Sequence, residues 1–235
     1  MLIEGENFMF WIAPEDHKSV APLKDTNKMF SRVLDHYQAV NSNYPINEVK
    51  LKTPDLRLFG TQEEMEKTNP NDNFWGMKCI AKIKASGSCH IDVTLPEIGG
   101  FSVDIEDKKN LCPALEDIIM AIIFQGIIGF DLADFMAVMK SEHAACNTFQ
   151  LSEYQNGEKK EKVIKEGRTS LIAIFSFDEN RTADKEPIDV ISEWAEAIEN
   201  SGTIENVFLA GIIRKDNQPD RATFLHTAKQ WELND

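Results

Sequence analysis

Residues 111–139 read LCPALEDIIMAIIFQGIIGFDLADFMAVM, and the fold turns on this stretch. From Ala114 to Phe124 it is apolar almost all round, with Glu116 and Asp117 as the exceptions. A helix of that character belongs in a protein interior. Gly126 and Gly129 bound a short loop. Asp131 and Asp134 then open a second helix, with Leu132, Phe135, Met136 and Met139 on one face. Acidic residues in a first turn cap the helix and complement the positive end of its dipole. That accounts for the local structure, and the same carboxylates stand at the mouth of a loop between two halves of the chain.

Downstream, residues 152–168 are polar, rich in Lys and Glu, and include Asn156-Gly157, an exposed connection. Residues 171–177 are apolar almost throughout, which predicts a strand buried on both faces. A charged turn at 178–184 follows. Pro187 then sits at the start of a helix reaching about Asn200, with Ile188, Ile191, Trp194, Ala195 and Ile198 on its apolar face. Ser201-Gly202 ends it. Residues 207–213 and 222–228 predict two strands joined by a polar loop, an antiparallel pair by local rules. From Asp131 on, the expected order is helix, strand, helix, strand, strand. One helix-covered sheet would bury all their apolar faces.

Upstream the signals are shorter. Residues 7–13 predict a strand that ends at Pro14, and 26–40 a helix through Met29, Val33, Leu34 and Tyr37. Two extended pieces, around Val49, Leu51 and Leu56, Leu58, are broken by Pro54. Residues 61–67 suggest a helical turn, because Thr61 and Glu64 form a capping box. The plainest β signal is 77–95, two runs flanking Ala85-Ser86-Gly87-Ser88, with a further strand at 101–105. The expected fold is α+β: a small, largely antiparallel unit at 1–111, then a helix-covered sheet at 112–235.

Composition limits the function. The chain has 235 residues, 42% hydrophobic and 27% charged, with 25 Lys+Arg against 39 Asp+Glu and a net charge of −14. Such an acidic surface argues against nucleic acid and anionic membrane as partners. The run 118–130 is interrupted by Gln125 and is too short to span a bilayer. No basic segment and cleavage pattern marks a secretory leader. Cys79, Cys89, Cys112 and Cys146 form no CxxC pair, as expected of reduced thiols in a cytoplasmic protein. Five scattered histidines give no metal-ligand spacing.

The second half, roughly 113–230, resembles the C-terminal half of FtsZ, the bacterial tubulin relative. That family enters this half through a loop of pattern Gly-Leu-Ile-Asn-x-Asp-Phe-Ala-Asp-Val. The matching residues here are Gly126-Ile127-Ile128-Gly129-Phe130-Asp131-Leu132-Ala133-Asp134-Phe135, followed by Val138-Met139. The strand ending in Phe177-Asp178, the helix from Pro187 and the stretch GIIRKDNQPDRAT (211–223) extend the match. In FtsZ the loop completes a GTPase site in trans, its carboxylates reaching nucleotide held by the next subunit. The resemblance therefore implies an interaction loop of Gly126, Gly129, Phe130, Asp131 and Asp134. Gly129 replaces the family's Asn.

The family's phosphate cradle, about five glycines in seven residues before a helix, has no counterpart among the 12 glycines here. Gly99-Gly100 is their sole adjacent pair and lies between strands. The resemblance thus implies the activating half without the nucleotide half. It points to a non-enzymatic protein with no cofactor and no metal, whose partner is an FtsZ-like filament protein or another copy of itself. The alternatives are a binding or scaffold module without filament contact, or an enzyme of unrecognised chemistry. Candidates for the enzyme are sparse. Asp92, Asp104 and Glu106 lie on predicted strands, Cys89 and His90 point to opposite faces of theirs, and Asp178, Glu179 and Asp216 to Asp220 belong to turns expected to be solvated. His226 falls within the last strand as a satisfied or edge histidine.

Overall fold

The structure is a computed structural model, and it describes residues 9–14, 78–83, 88–95, 99–123, 126–129, 135, 138–139, 143–154, 170–182, 184–202 and 204–227. The expected helix at 26–40, the extended pieces around 49–58, the turn at 61–67 and most of the connection at 152–168 lie outside these residues. The chain divides into two compact units, Met1–Cys112 and Pro113–Asp235.

In the first unit, β1 (Met9–Pro14), β2 (Lys78–Ile83), β3 (Cys89–Leu95) and β4 (Gly99–Ile105) lie side by side in that order. β1 and β2 are parallel, while β2–β3 and β3–β4 are antiparallel hairpin pairs. Alternation sets the faces: Cys89, Ile91, Phe101, Val103 and Ile105 are buried. On the other face His90 lies directly opposite Asp104, and its Nδ1 is 2.7 Å from the Asp104 Oδ1. This is an ordinary cross-strand polar pair.

In the second unit the strands are β5 (His143–Gln150), β6 (Ser170–Asp178), β7 (Asn206–Arg214) and β8 (Arg221–Thr227), in the order β5-β8-β6-β7. Helix α1 (Leu111–Ile123) begins at the unit boundary, and α2 (Pro187–Ser201) connects β6 to β7. The fold is α+β. Strand β6 is buried along nearly its whole length, as its composition requires.

Two expectations are corrected here. First, β5 was not anticipated. After His143 its sequence HAACNTFQ runs through small residues of weak strand preference and shows no apolar alternation. Second, β7 and β8 are not paired with each other. β7 runs parallel to β6, while β8 runs antiparallel to both β6 and β5. The β6–α2–β7 crossover makes β7 a parallel neighbour of β6, which is the usual outcome of a strand–helix–strand unit. The 215–220 loop therefore passes over the end of β6 and delivers β8 to the other side.

Register assigns the two faces of this sheet. Leu171, Ala173, Phe175 and Phe177 of β6, with Ala222 and Phe224 of β8 and Phe149 of β5, pack against Ile191, Trp194 and Ile198 of α2. Trp194 is the hub, with ring centroids 5.4 Å from Phe224, 5.7 Å from Phe149 and 6.2 Å from Phe175. The helix starts at Pro187 and ends at Gly202, whose φ of 63° suits a left-handed cap that β-carbon-bearing residues resist. Its fully buried positions begin at Ile191, with Val190 partly buried against the same cluster, while Ile188 remains exposed. The opposite face of the sheet, with Ser176, Arg221 and Thr223, receives α1.

Candidate functional site

The 126–129 loop is fastened to the outer edge of β7. The Ile127 N–H donates to the Gly211 carbonyl at 2.6 Å, and the Gly211 N–H donates to the Ile128 carbonyl at 2.8 Å, forming an antiparallel bridge. Glycine is required at position 126 for this approach, and less strictly at 211. A Cβ on Gly126 would stand 2.0 Å from the Gly211 oxygen, and one on Gly211 would stand 2.7 Å from Ile191 Cδ1. The first clash is against backbone, which has little freedom to yield; the second is against the end of a side chain. At Gly129 the nearest atom to such a Cβ would be 3.9 Å away. Ile127, between the two hydrogen bonds, is 42% exposed. Phe130, Asp131 and Asp134 lie outside the described residues. Beyond them Phe135, Val138 and Met139 are helical and buried.

Nine residues before the loop, α1 carries a buried charge cluster that sequence reasoning did not assemble. Asp117 is fully buried and Glu116 nearly so. The Arg221 guanidinium, from the start of β8, donates through Nε and Nη2 to Asp117 (3.1 and 2.7 Å) and through Nη2 to Glu116 at 3.1 Å. The Ser176 hydroxyl donates to Asp117 Oδ1 at 2.5 Å, and Thr223 to Oδ2 at 2.6 Å. The Thr223 and Thr148 hydroxyls are 2.9 Å apart, which extends the chain of polar contacts to β5. Burial works against the charged guanidinium, but the two carboxylates outweigh it and hold the Arg221 pKa above its ordinary value. The sequence did show Glu116 and Asp117 as anomalies in an apolar helix. Their partner lies more than a hundred residues away, and no local pattern reaches that far.

Glu179, Asn180, Asn217 and Gln218 are exposed, as expected of solvated turns, but Asp178, Asp216 and Asp220 brace the two turns against each other. Asp178 accepts from the backbone N–H groups of Asn180 and Asn217 at 2.9 and 2.6 Å. Asp220 accepts from the Asp178 N–H at 3.0 Å and from Arg181 Nε at 2.8 Å. Arg214, almost wholly buried, chelates Asp216 and donates to the Pro219 carbonyl at 2.8 Å. Because the loop must cross the end of β6, its carboxylates face backbone donors instead of water. They are engaged in building the crossing.

His226 lies in β8, inside the sheet and not at its edge, and its ring packs edge-on against Phe224 at 5.8 Å. Burial pushes the Cys146 thiol up to about 12, so it carries no thiolate at neutral pH. Among the described residues no group of three or more His, Cys, Asp or Glu side chains is placed to hold a metal ion. No described helix is long and apolar enough to cross a membrane. The strongest arrangement is therefore a clasped loop with an exposed isoleucine, delivered by a helix that a charge cluster pins to the sheet.

No family model and no curated protein matches the chain. Among solved structures it is similar to an FtsZ dimer from M. jannaschii, at 18% identity and a TM-score of 0.39, over 52% of this chain and 38% of that one. It is similar also to CetZ from Methanosaeta thermophila strain DSM 6194, at 15% identity and a TM-score of 0.39, over 53% of this chain and 37% of that one. The likeness to these two structures is distant and extends over about half of this chain. The chain spans less than two fifths of either structure's length.

Proposed function

We propose that this protein is a non-enzymatic interaction protein, an FtsZ-like pseudo-subunit that docks through its 126–134 loop on a tubulin-like filament protein. The observation that supports it most directly is the clasp at Gly126 and Gly211, which holds Ile127 outward at a fixed place on the edge of the sheet. A mobile loop would lose conformational entropy on docking, and a clasped one has already lost part of it. The sequence motif around the loop supports the same reading, with Asp131 and Asp134 at the positions of the family's two carboxylates. No stretch of these 235 residues supplies a glycine-rich phosphate cradle.

A subunit with an activating face and no nucleotide pocket joins a filament at one end and offers nothing for the next subunit. It acts as a cap. With a net charge of −14, long-range attraction to another acidic protein is weak, so affinity rests on the loop and its apolar contacts. The test is sedimentation of an FtsZ-like protein from the same cell, paired with phosphate release. Sub-stoichiometric wild-type chain should shorten filaments and lower the pelleted fraction, and Ile127→Asp should abolish both effects. If the wild type alters neither pelleting nor turnover, filament docking is rejected and a scaffold role remains. Equilibrium dialysis should show no binding of GTP or ATP at micromolar concentration. Stoichiometric binding would instead favour an enzyme.

A further inference from the structure

Helix α1 buries mainly apolar side chains, among them Leu115, Ile118 and Ala121. Apolar contact is non-directional and tolerates sliding or rotation of one surface on another. The Asp117 carboxylate does not. It accepts from Ser176 of β6 and from Arg221 and Thr223 of β8, so two strands triangulate one helical residue. Charge-assisted hydrogen bonds of this kind are directional as well as strong. Their net contribution to stability is small, because an apolar replacement of similar volume often does as well.

We propose that Glu116, Asp117 and Arg221 are positioning residues: the clamp fixes α1 in one register on the sheet, and that register lets the 126–129 loop clasp Gly211. The loop's two hydrogen bonds, at 2.6 and 2.8 Å, define the tolerance. One residue of helical rise is about 1.5 Å, more than the whole range of about 2.7–3.2 Å over which such bonds are good. A slip of α1 by a single residue would therefore open the clasp even if every apolar contact were replaced. Arg221 is placed to sense that slip, since it reaches Asp117 through two nitrogens and Glu116 through one of them.

The inference gives a structural basis to the loop proposed above as the docking element, but its test needs no partner, so the two readings fail separately. The variant Glu116→Gln/Asp117→Leu/Arg221→Met removes the charges and keeps side-chain bulk. Native-state amide exchange is measured on the full chain at Ile127 and Gly211, the two clasp donors, with Ile174 of β6 as internal reference. The expected result is exchange at Ile127 and Gly211 faster by about tenfold or more relative to Ile174, with the urea midpoint nearly unchanged. If protection at the clasp falls only in step with Ile174, the cluster contributes stability alone and the proposal is overturned. Should the triple variant not fold cooperatively, Arg221→Lys is read at the same amides. It keeps the charge but loses the two-nitrogen grip, so selective loosening of the clasp supports the proposal, and protection equal to wild type overturns it.

Discussion

The two faces of the β5-β8-β6-β7 sheet are closed by different physics. Toward α2 the contact is aromatic and apolar: Trp194 packs among Phe149, Phe175 and Phe224, and the Arg181 guanidinium stacks on Phe177, 5.1 Å from its ring centroid. Toward α1, two carboxylates, one guanidinium and two hydroxyls sit inside the same domain with almost no exposure. The aromatic face gains from area removed from water and is forgiving in direction. The charged face gains little in net free energy and is exacting in direction. The difference teaches that stability and register are supplied from opposite sides of one sheet. The loop belongs to the exacting side, since α1 delivers it.

The largest way to break that contrast is Arg221→Ala. It leaves Glu116 and Asp117 buried without their counter-charge and should cost about 3–5 kcal/mol, or prevent cooperative folding, in urea melts. A loss below about 1 kcal/mol would mean that water reaches the cluster. Trp194→Ala attacks the other face and should cost about 3–5 kcal/mol as a large core truncation. Because that face lacks direction, the clasp amides should lose protection only as much as the whole domain does.

Gly126→Ala sharpens the comparison at the edge. Its Cβ cannot share space with the Gly211 carbonyl, so both clasp hydrogen bonds should be lost, about 2 kcal/mol at about 1 kcal/mol each. The loss should appear as local exchange at Ile127 rather than as a lower melting temperature. Gly211→Ala meets only Ile191 Cδ1 and should be milder.

The smallest effect concerns Cys146, which lies on the charged face. With its thiol pushed up to about 12, alkylation of the folded chain at this residue should not accelerate between pH 7 and 9. Its contribution to stability is complete below the unfolded thiol pKa of about 8.5. Above that pH the unfolded chain ionises and the folded one does not, so this contribution is lost progressively up to about 12. Denaturant midpoints of wild type and Cys146→Ala, compared from pH 8 upward, should converge or cross in that window.

How much of this was legible in the sequence depended on how local the cause was. Leu171 to Phe177 announced β6 by unbroken apolarity, and Ile191, Trp194 and Ile198 announced α2 by spacing. Strand β5 stayed hidden because Ala144, Ala145 and Cys146 carry little strand signal, and its place is set by β8. The short polar loop between β7 and β8 suggested a hairpin, since local rules do not register that α2 had already placed β7 beside β6. The loop glycines were visible, but Gly126 gave no hint of Gly211. Glu116 and Asp117 were visible as misfits, but Arg221 was not identifiable as their partner, because only the folded sheet brings them together.

The place of β8 has a consequence for how the domain is made. It is the last strand described, yet it is inserted between β5 and β6, and in this unit β5 has no other strand beside it. The sheet is thus keyed by β8. A nascent chain halted before Arg221 has an exposed flank on β6 and two acidic side chains without their arginine. Assembly of the sheet must wait until β8 has been made, as contacts spanning such sequence distances slow folding. During that wait the half-built sheet is open to other strands, which is when a chaperone or a second nascent copy would find it.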